Sequence, residues 1–268
     1  MRKAKVVCTI GPACKDENSL RNLILGGMDI ARINTSHSDK QEVKEVVKSI
    51  RKISKKYQKN TAIMLDLQGP KIRVGELEDD LIIGKGEIVY FTYGDRNFKN
   101  IKEKVIRVDY SRFVEDLVEG LSIFIDDGLI ECKVLEKTDA LAKCKVKRGG
   151  ILKSHKGINL PDIRISIDSV TDKDIYFLQL GLELEVDFIA QSFVRDFTDV
   201  AKIKEIIKTN NSHQMVIAKI EKHEAVDNFN NILKESDGVM VARGDLGIEI
   251  DEEDVPIIQK DIIKKANE

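Results

Sequence analysis

Short apolar runs alternate with helical stretches on both sides of a long interruption, and that order leaves few folds open. Lys5–Ile10, Met28–Asn34 and Thr61–Asp66 read as buried strands. Between them lie a short helix from about Ser19 to Leu25, closed by Gly26-Gly27, and a second helix with Val43, Val46, Val47, Ile50 and Ile53 at helical spacing. Ser38 is the expected N-cap of the second helix, with Gln41 completing a capping box. After the interruption come the strands Val186–Ser192, Met215–Ile220 and Gly238–Val241. Helices are expected over about Asp172–Leu182, Thr198–Lys208, Ala225–Lys234 and Asp254–Ala266. Strands joined by helices must run parallel, because each connection crosses back over the sheet. The pattern therefore predicts an α/β fold, a parallel β/α barrel of the TIM type. It is incomplete, with about six strand–helix units in the chain where a closed barrel uses eight.

The interruption itself, from about Lys71 to Asp168, carries no good amphipathic helix. Short β-like runs replace it: Leu81–Ile83, Glu87–Tyr93, Val105–Val108, Ser122–Ile125, Ile130–Leu135 and Ala142–Lys147. Asp126-Asp127-Gly128 is a strong hairpin signal among them. The expected division is a discontinuous barrel domain, 1–70 plus 169–268, with a small antiparallel β-barrel domain inserted at 71–168. The insertion follows the C-terminal end of the third strand, the functional side of such barrels, so its expected role is a lid.

Charge excludes one large class of partner. Forty-four basic and 46 acidic residues leave a net charge of −2, with no basic run to hold nucleic acid. The cysteines Cys8, Cys14, Cys132 and Cys144 make no Cys-x-x-Cys pair, which points to free thiols in a reducing compartment. The apolar run Val6–Ile10 is too short for a signal peptide, and nothing reaches the length of a membrane span. The expectation is a soluble cytoplasmic protein with no membrane partner.

Candidate chemistry gathers at strand ends. Residues two apart on a strand share a face, so Lys219 and Glu221 stand side by side at the end of the fifth strand. The sixth strand runs into Ala242-Arg243-Gly244-Asp245 and brings a second carboxylate to the neighbouring strand end. A structural salt bridge is the plain alternative. Two carboxylates beside a lysine suit Mg²⁺ or Mn²⁺ with an anionic substrate, since neither histidine nor cysteine accompanies them. The second strand ends in Arg32, Asn34, Thr35, Ser36 and His37, where an arginine can fork onto phosphate. The third ends in Asp66, Leu67, Gln68 and then Gly69-Pro70-Lys71-Ile72-Arg73, a sharp exit suited to a lid hinge or a plain turn. Lys156 marks the return of the insertion, and Phe193 either walls the pocket or packs the core. The four histidines are scattered, and no glycine-rich phosphate loop occurs.

In order along the chain these segments resemble pyruvate kinase. The matching stretches are Thr9-Ile10-Gly11-Pro12-Ala13, Met28–Asn34 with Ser36-His37, Gly69–Arg73, Asp126–Ile130, Lys156–Pro161, Asp187–Ala190, Ser192–Arg195, Lys219-Ile220-Glu221 and Val241–Gly247. The resemblance implies a β/α barrel with an inserted β domain, and phosphoryl transfer from phosphoenolpyruvate to ADP giving pyruvate and ATP. It implies Glu221 and Asp245 as ligands of Mg²⁺ or Mn²⁺. Lys219, Arg32 and Arg73 become the catalytic cations. The substrate would meet Arg32, Lys219, Ala242, Arg243, Gly244 and Asp245, and the nucleotide Asn34, His37, Arg73 and Lys156.

Asn34, Ser36, Asp66 and the carbonyl of Leu67 match the family's potassium site. Many members carry glutamate where this chain has Lys71, so the expectation is that K⁺ is not required. Leu67-Gln68 also replaces a usual threonine-lysine, and Thr35 a usual phenylalanine. The family continues with two more strands and a C-terminal domain, so the chain reads as the N-terminal catalytic portion of a longer enzyme. Alternatives are half of a two-chain barrel, a scaffold without turnover, or another metal-dependent barrel enzyme of phosphoenolpyruvate or pyruvate. Open sheet edges would also permit a homo-oligomer.

Overall fold

The computed structural model describes residues 4–36, 38–94, 98, 101–161, 163 and 165–268. The first half of the parallel sheet is built from β1 (Val7–Ile10), α1 (Glu17–Gly26), β2 (Ile30–Asn34), α2 (Lys40–Lys56) and β3 (Ala62–Asp66). Asp16 caps α1 by accepting from the backbone of Asn18 and Ser19, and Gly27 ends it at φ +105°, a left-handed turn that favours glycine. The predicted stripe on α2 is buried in full: Val43, Val46, Val47, Ile50 and Ile53. Its cap is Asp39, not Ser38. The Asp39 carboxylate accepts from Glu42 N, whereas Ser38 Oγ donates to the carbonyl of Asn34. Both residues are competent caps, and the second strand's exit turn claims the serine.

The insertion holds β4 (Ile72–Arg73), β5 (Leu81–Ile83), β6 (Ile88–Tyr93), β7 (Lys104–Val108), α3 (Phe113–Asp116) and β8 (Ser122–Ile125). It continues with β9 (Ile130–Lys137), β10 (Ala142–Arg148), β11 (Gly150–Leu152) and β12 (Gly157–Asn159). Seven of these strands form one sheet in the order β4-β12-β8-β9-β10-β6-β7, while β5 and β11 pair separately. The sheet is mixed, not purely antiparallel: β6 and β7 run parallel. The predicted hairpin joins β8 and β9, with Asp126, Asp127 and Gly128 all at positive φ.

The parallel sheet resumes with α4 (Asp172–Glu183), β13 (Phe188–Gln191), α5 (Phe197–Thr209) and β14 (Met215–Ile220). Then come α6 (His223–Asp227), α7 (Phe229–Glu235), β15 (Gly238–Val241), α8 (Arg243–Glu249) and α9 (Val255–Asn267). The helix expected near Ala225–Lys234 is thus two helices, divided at Asn228. Thr171 and Asp174 form a reciprocal capping box on α4. Asp174 also accepts from the backbone N–H of Gly69, tying the start of the insertion to the helix beyond it.

All six strands of this sheet are parallel neighbours, in the order β1-β2-β3-β13-β14-β15. Their C-terminal ends therefore lie on one side, and Asn34 stands directly across from Asp66. Two separate apolar cores result. One joins the parallel sheet to its helices, through residues such as Leu20, Ile50, Leu65, Ile189 and Ile232. The other fills the insertion around Phe91, Phe113 and Ile123. The four cysteines are free thiols, and burial pushes Cys132 up to about 12. No described helix is long and apolar enough to cross a membrane.

Candidate active site

Three charged side chains from the parallel strands meet at the C-terminal side of the sheet. Lys219 Nζ lies 2.7 Å from Glu221 Oε1 and 3.3 Å from Asp66 Oδ1, and it donates to Ser192 Oγ at 2.6 Å. All three charged residues are buried. Burial opposes the charge on Lys219, but the Glu221 and Asp66 carboxylates outweigh it and raise its pKa. Arg32 grips the other Asp66 oxygen, Nε at 2.6 Å, and reaches Thr9 Oγ1 at 2.8 Å. The centre thus alternates anion and cation, each charge held by at least one of opposite sign.

Glu221 is fixed from two sides. Its second oxygen accepts from the backbone N–H of Phe193 at 2.9 Å. Phe193 holds φ +56°, a left-handed conformation that a bulky residue rarely adopts. Outliers of this kind persist where surrounding structure enforces them, commonly at functional sites. The Phe193 ring packs over Gly69, itself at φ +69°. A Cβ there would lie 2.6 Å from Phe193 Cδ2.

Asp245 belongs to the first turn of α8, four residues beyond β15, and not to a strand end as the sequence suggested. Burial pushes Glu221 above the ordinary carboxylate value, and the nearby Asp245 charge pushes it further, against the pull of Lys219. Two carboxylates that repel one another beside a site open to solvent fit a hard divalent cation. Asp245 supplies the opening, with 39% of its side chain exposed. Among the described residues no three His, Cys, Asp or Glu side chains gather as a metal cage. A cation bound by this pair would keep positions for water or substrate oxygens.

The insertion contributes from above. Lys71 Nζ lies 3.9 Å from both Asp127 and Asp245, so it bridges the β8–β9 turn and α8. Gly157 makes room for it, since a Cβ there would meet Lys71 Cε at 2.5 Å. Lys156 pairs with Asp126 at 2.8 Å. Arg73 donates to the carbonyl of His155 at 2.9 Å.

The family model for the pyruvate kinase barrel domain matches residues 1–268. The chain belongs to the pyruvate kinase family. Similar proteins include pyruvate kinases of Staphylococcus saprophyticus, 44% identical over 271 residues, and Staphylococcus haemolyticus, 43% identical over 271 residues. The pyruvate kinase of Staphylococcus aureus (strain MRSA252) is 42% identical over 270 residues. Each match takes in 100% of this chain and 46% of the relative. The chain spans about half the length of the curated relatives it matches.

The four positions that the sequence reading matched to a potassium site in pyruvate kinases are Asn34, Ser36, Asp66 and Leu67. Asn34 Oδ1 accepts from Ser36 N at 2.9 Å, and Asp66 is engaged by Arg32 and Lys219. Leu67 is buried, its N–H donating to the carbonyl of Ala190. The ammonium that reaches this corner is Lys173 on α4. It donates to the Ser36 carbonyl at 3.2 Å and to Gln68 Oε1 at 2.7 Å. Burial lowers its pKa, with Arg73 adding to the effect. Reading the sequence missed Lys173, because one exposed lysine in a helix carries no local signal. His37 lies outside the described residues. The backbone of Ala242–Asp245 opens α8, where Ala242 makes no side-chain cap bond.

Proposed function

We propose that the chain carries the catalytic barrel of a pyruvate kinase, moving a phosphoryl group from phosphoenolpyruvate to ADP and giving pyruvate and ATP. One observation carries this reading: a buried ammonium, Lys219, clasped between Glu221 and Asp66 where parallel strands end. Phosphoryl transfer asks mainly for positioning and charge neutralisation. Lys219 would balance the charge of the phosphoryl group in flight. Arg32 and Arg73 would hold phosphate oxygens, and the backbone of Ala242–Asp245, with Arg243 and Gly244, would receive the substrate carboxylate. Asn34, His37, Arg73 and Lys156 would meet the nucleotide. Glu221 and Asp245 would hold Mg²⁺ or Mn²⁺, which supplies positive charge to phosphate oxygens when bound. Residues 71–168 would serve as a lid domain over the barrel domain of 1–70 and 169–268.

Monovalent activation is replaced in this reading. Lys71 supplies positive charge beside Asp245, and Lys173 stands at Ser36. A coupled assay for pyruvate formation with Mg²⁺, ADP and phosphoenolpyruvate tests the proposal. Turnover that falls by about 10²-fold or more in Lys219→Met and Glu221→Gln is expected. A folded parent chain that forms no pyruvate, alone or joined to the remaining half of a relative, would rule the catalytic reading out.

A further inference from the structure

Lys222 and Glu249 form an ion pair that the proposed reaction does not use. Lys222 Nζ lies 2.6 Å from Glu249 Oε1, with only 6% and 1% of the two side chains exposed. Burying two charges costs free energy that a well-packed apolar pair would not. Packing alone therefore gives no reason for the pair.

Its place in the chain gives one. Lys222 follows Glu221 directly, at the start of α6. Glu249 ends α8, four residues beyond Asp245, and residues four apart on a helix lie on one face. The first turn of α8 has no side-chain cap to hold it. One buried contact thus joins the segment carrying Glu221 to the helix carrying Asp245.

We infer that the Lys222–Glu249 pair is a positioning clamp, which docks α8 against the end of β14 and so sets the separation of Glu221 and Asp245. The inference rests on the reading of those two carboxylates as the divalent-cation pair. Neither Lys222 nor Glu249 need touch the cation or the substrate.

Mn²⁺ binding to the 268-residue chain, followed by the paramagnetic resonance of free Mn²⁺, tests it without reference to turnover. Glu249→Gln should weaken binding about tenfold, as expected for a group that orients metal ligands. The α8 amides should then exchange with solvent faster. The reversed pair, Lys222→Glu with Glu249→Lys, should bring both readings back toward the parent. Unchanged Mn²⁺ affinity in a folded Glu249→Gln chain overturns the clamp, as does a folded reversed pair that stays weak. If Glu249→Gln does not fold, the reversed pair decides alone, parent-like affinity supporting the clamp and lost affinity overturning it. A parent that binds no Mn²⁺, or a Glu221→Gln chain that binds as well as the parent, removes the cation reading and the clamp together.

Discussion

The Lys219 ammonium of β14 lies 2.7 Å from the carboxylate of Glu221, two residues on and just past the strand end, and both side chains are almost sealed from solvent. Asp66, 3.3 Å from the same ammonium, comes from β3, which β13 separates from β14. One cation therefore answers to two buried anions, with Arg32 sharing the load at Asp66.

Lys219→Met removes that cation and leaves both carboxylates short of a partner. Breaking a buried ion pair from one side costs about 3–5 kcal/mol, so the denaturant midpoint should fall clearly. In the proposed reaction the turnover number should drop by about 10²–10³-fold, as when one preorganised charge-stabilising group is lost. The KM for phosphoenolpyruvate should move far less, because the missing interaction acts on charge in flight. Normal turnover in a folded Lys219→Met chain would remove Lys219 from that role.

Gly69→Ala is a sharper test of local geometry. The position combines φ +69° with a neighbour 2.6 Å from where the methyl would sit. That neighbour is Phe193, whose N–H holds Glu221. Backbone strain of this kind costs about 1–3 kcal/mol. Urea unfolding should show a loss in that range. Mn²⁺ affinity should fall too, since Phe193 must shift and take the Glu221 oxygen with it. An alanine variant as stable as the parent would show that the left-handed turn at Gly69 is dispensable.

Much of this arrangement is legible in the sequence. The strand–helix period located every strand of the parallel sheet, because each is an apolar run bounded by turns. The two-residue rule placed Lys219 beside Glu221. What escaped depends on partners distant in sequence. β4, β11 and β12 span two or three residues, too few for a period, and exist through pairing with β12, β5 and β8. The parallel pairing of β6 with β7 has no turn code. Asp245 was expected at a strand end, but α8 begins just after β15 and carries it. Lys173 and the Lys222–Glu249 pair are ordinary lysines and an ordinary glutamate in sequence. Only the folding of α4 onto Ser36, and of α8 onto β14, gives them partners.

Added potassium should change little. Lys71 stands 3.9 Å from Asp127 and Asp245, and Lys173 already occupies the Ser36 carbonyl. Steady-state rates in KCl and in tetramethylammonium chloride, at equal ionic strength, should agree within about twofold, well under 1 kcal/mol in barrier. Lys71→Glu should open a gap between the two salts, because the ammonium beside Asp245 is then replaced by a carboxylate. A large rise with KCl in the parent would refute the substitution of an ammonium for the ion.

Tyr110 predicts how stability responds to alkaline pH. Its hydroxyl donates to Asp116 Oδ2, and the backbone N–H of Ser166 donates to both, at 3.1 Å to Tyr110 and 2.8 Å to Asp116. Burial, and then the Asp116 carboxylate, push the phenol from its ordinary 10.0 up to about 12. Between those values the unfolded chain has released the proton while the folded chain still holds it. Folded protein binds more protons there, so its stability falls as pH rises. The contribution is complete below pH 10.0 and is lost as pH climbs through about 12. Urea midpoints measured from pH 9 to pH 12 should therefore fall more steeply in the parent than in Tyr110→Phe, which has no phenol to titrate. Phenolate absorbance in the folded parent should show one tyrosine titrating late, and that late step should vanish in the variant. Parallel midpoint curves for the two proteins would mean that the Tyr110–Asp116 contact carries no proton-linked stability.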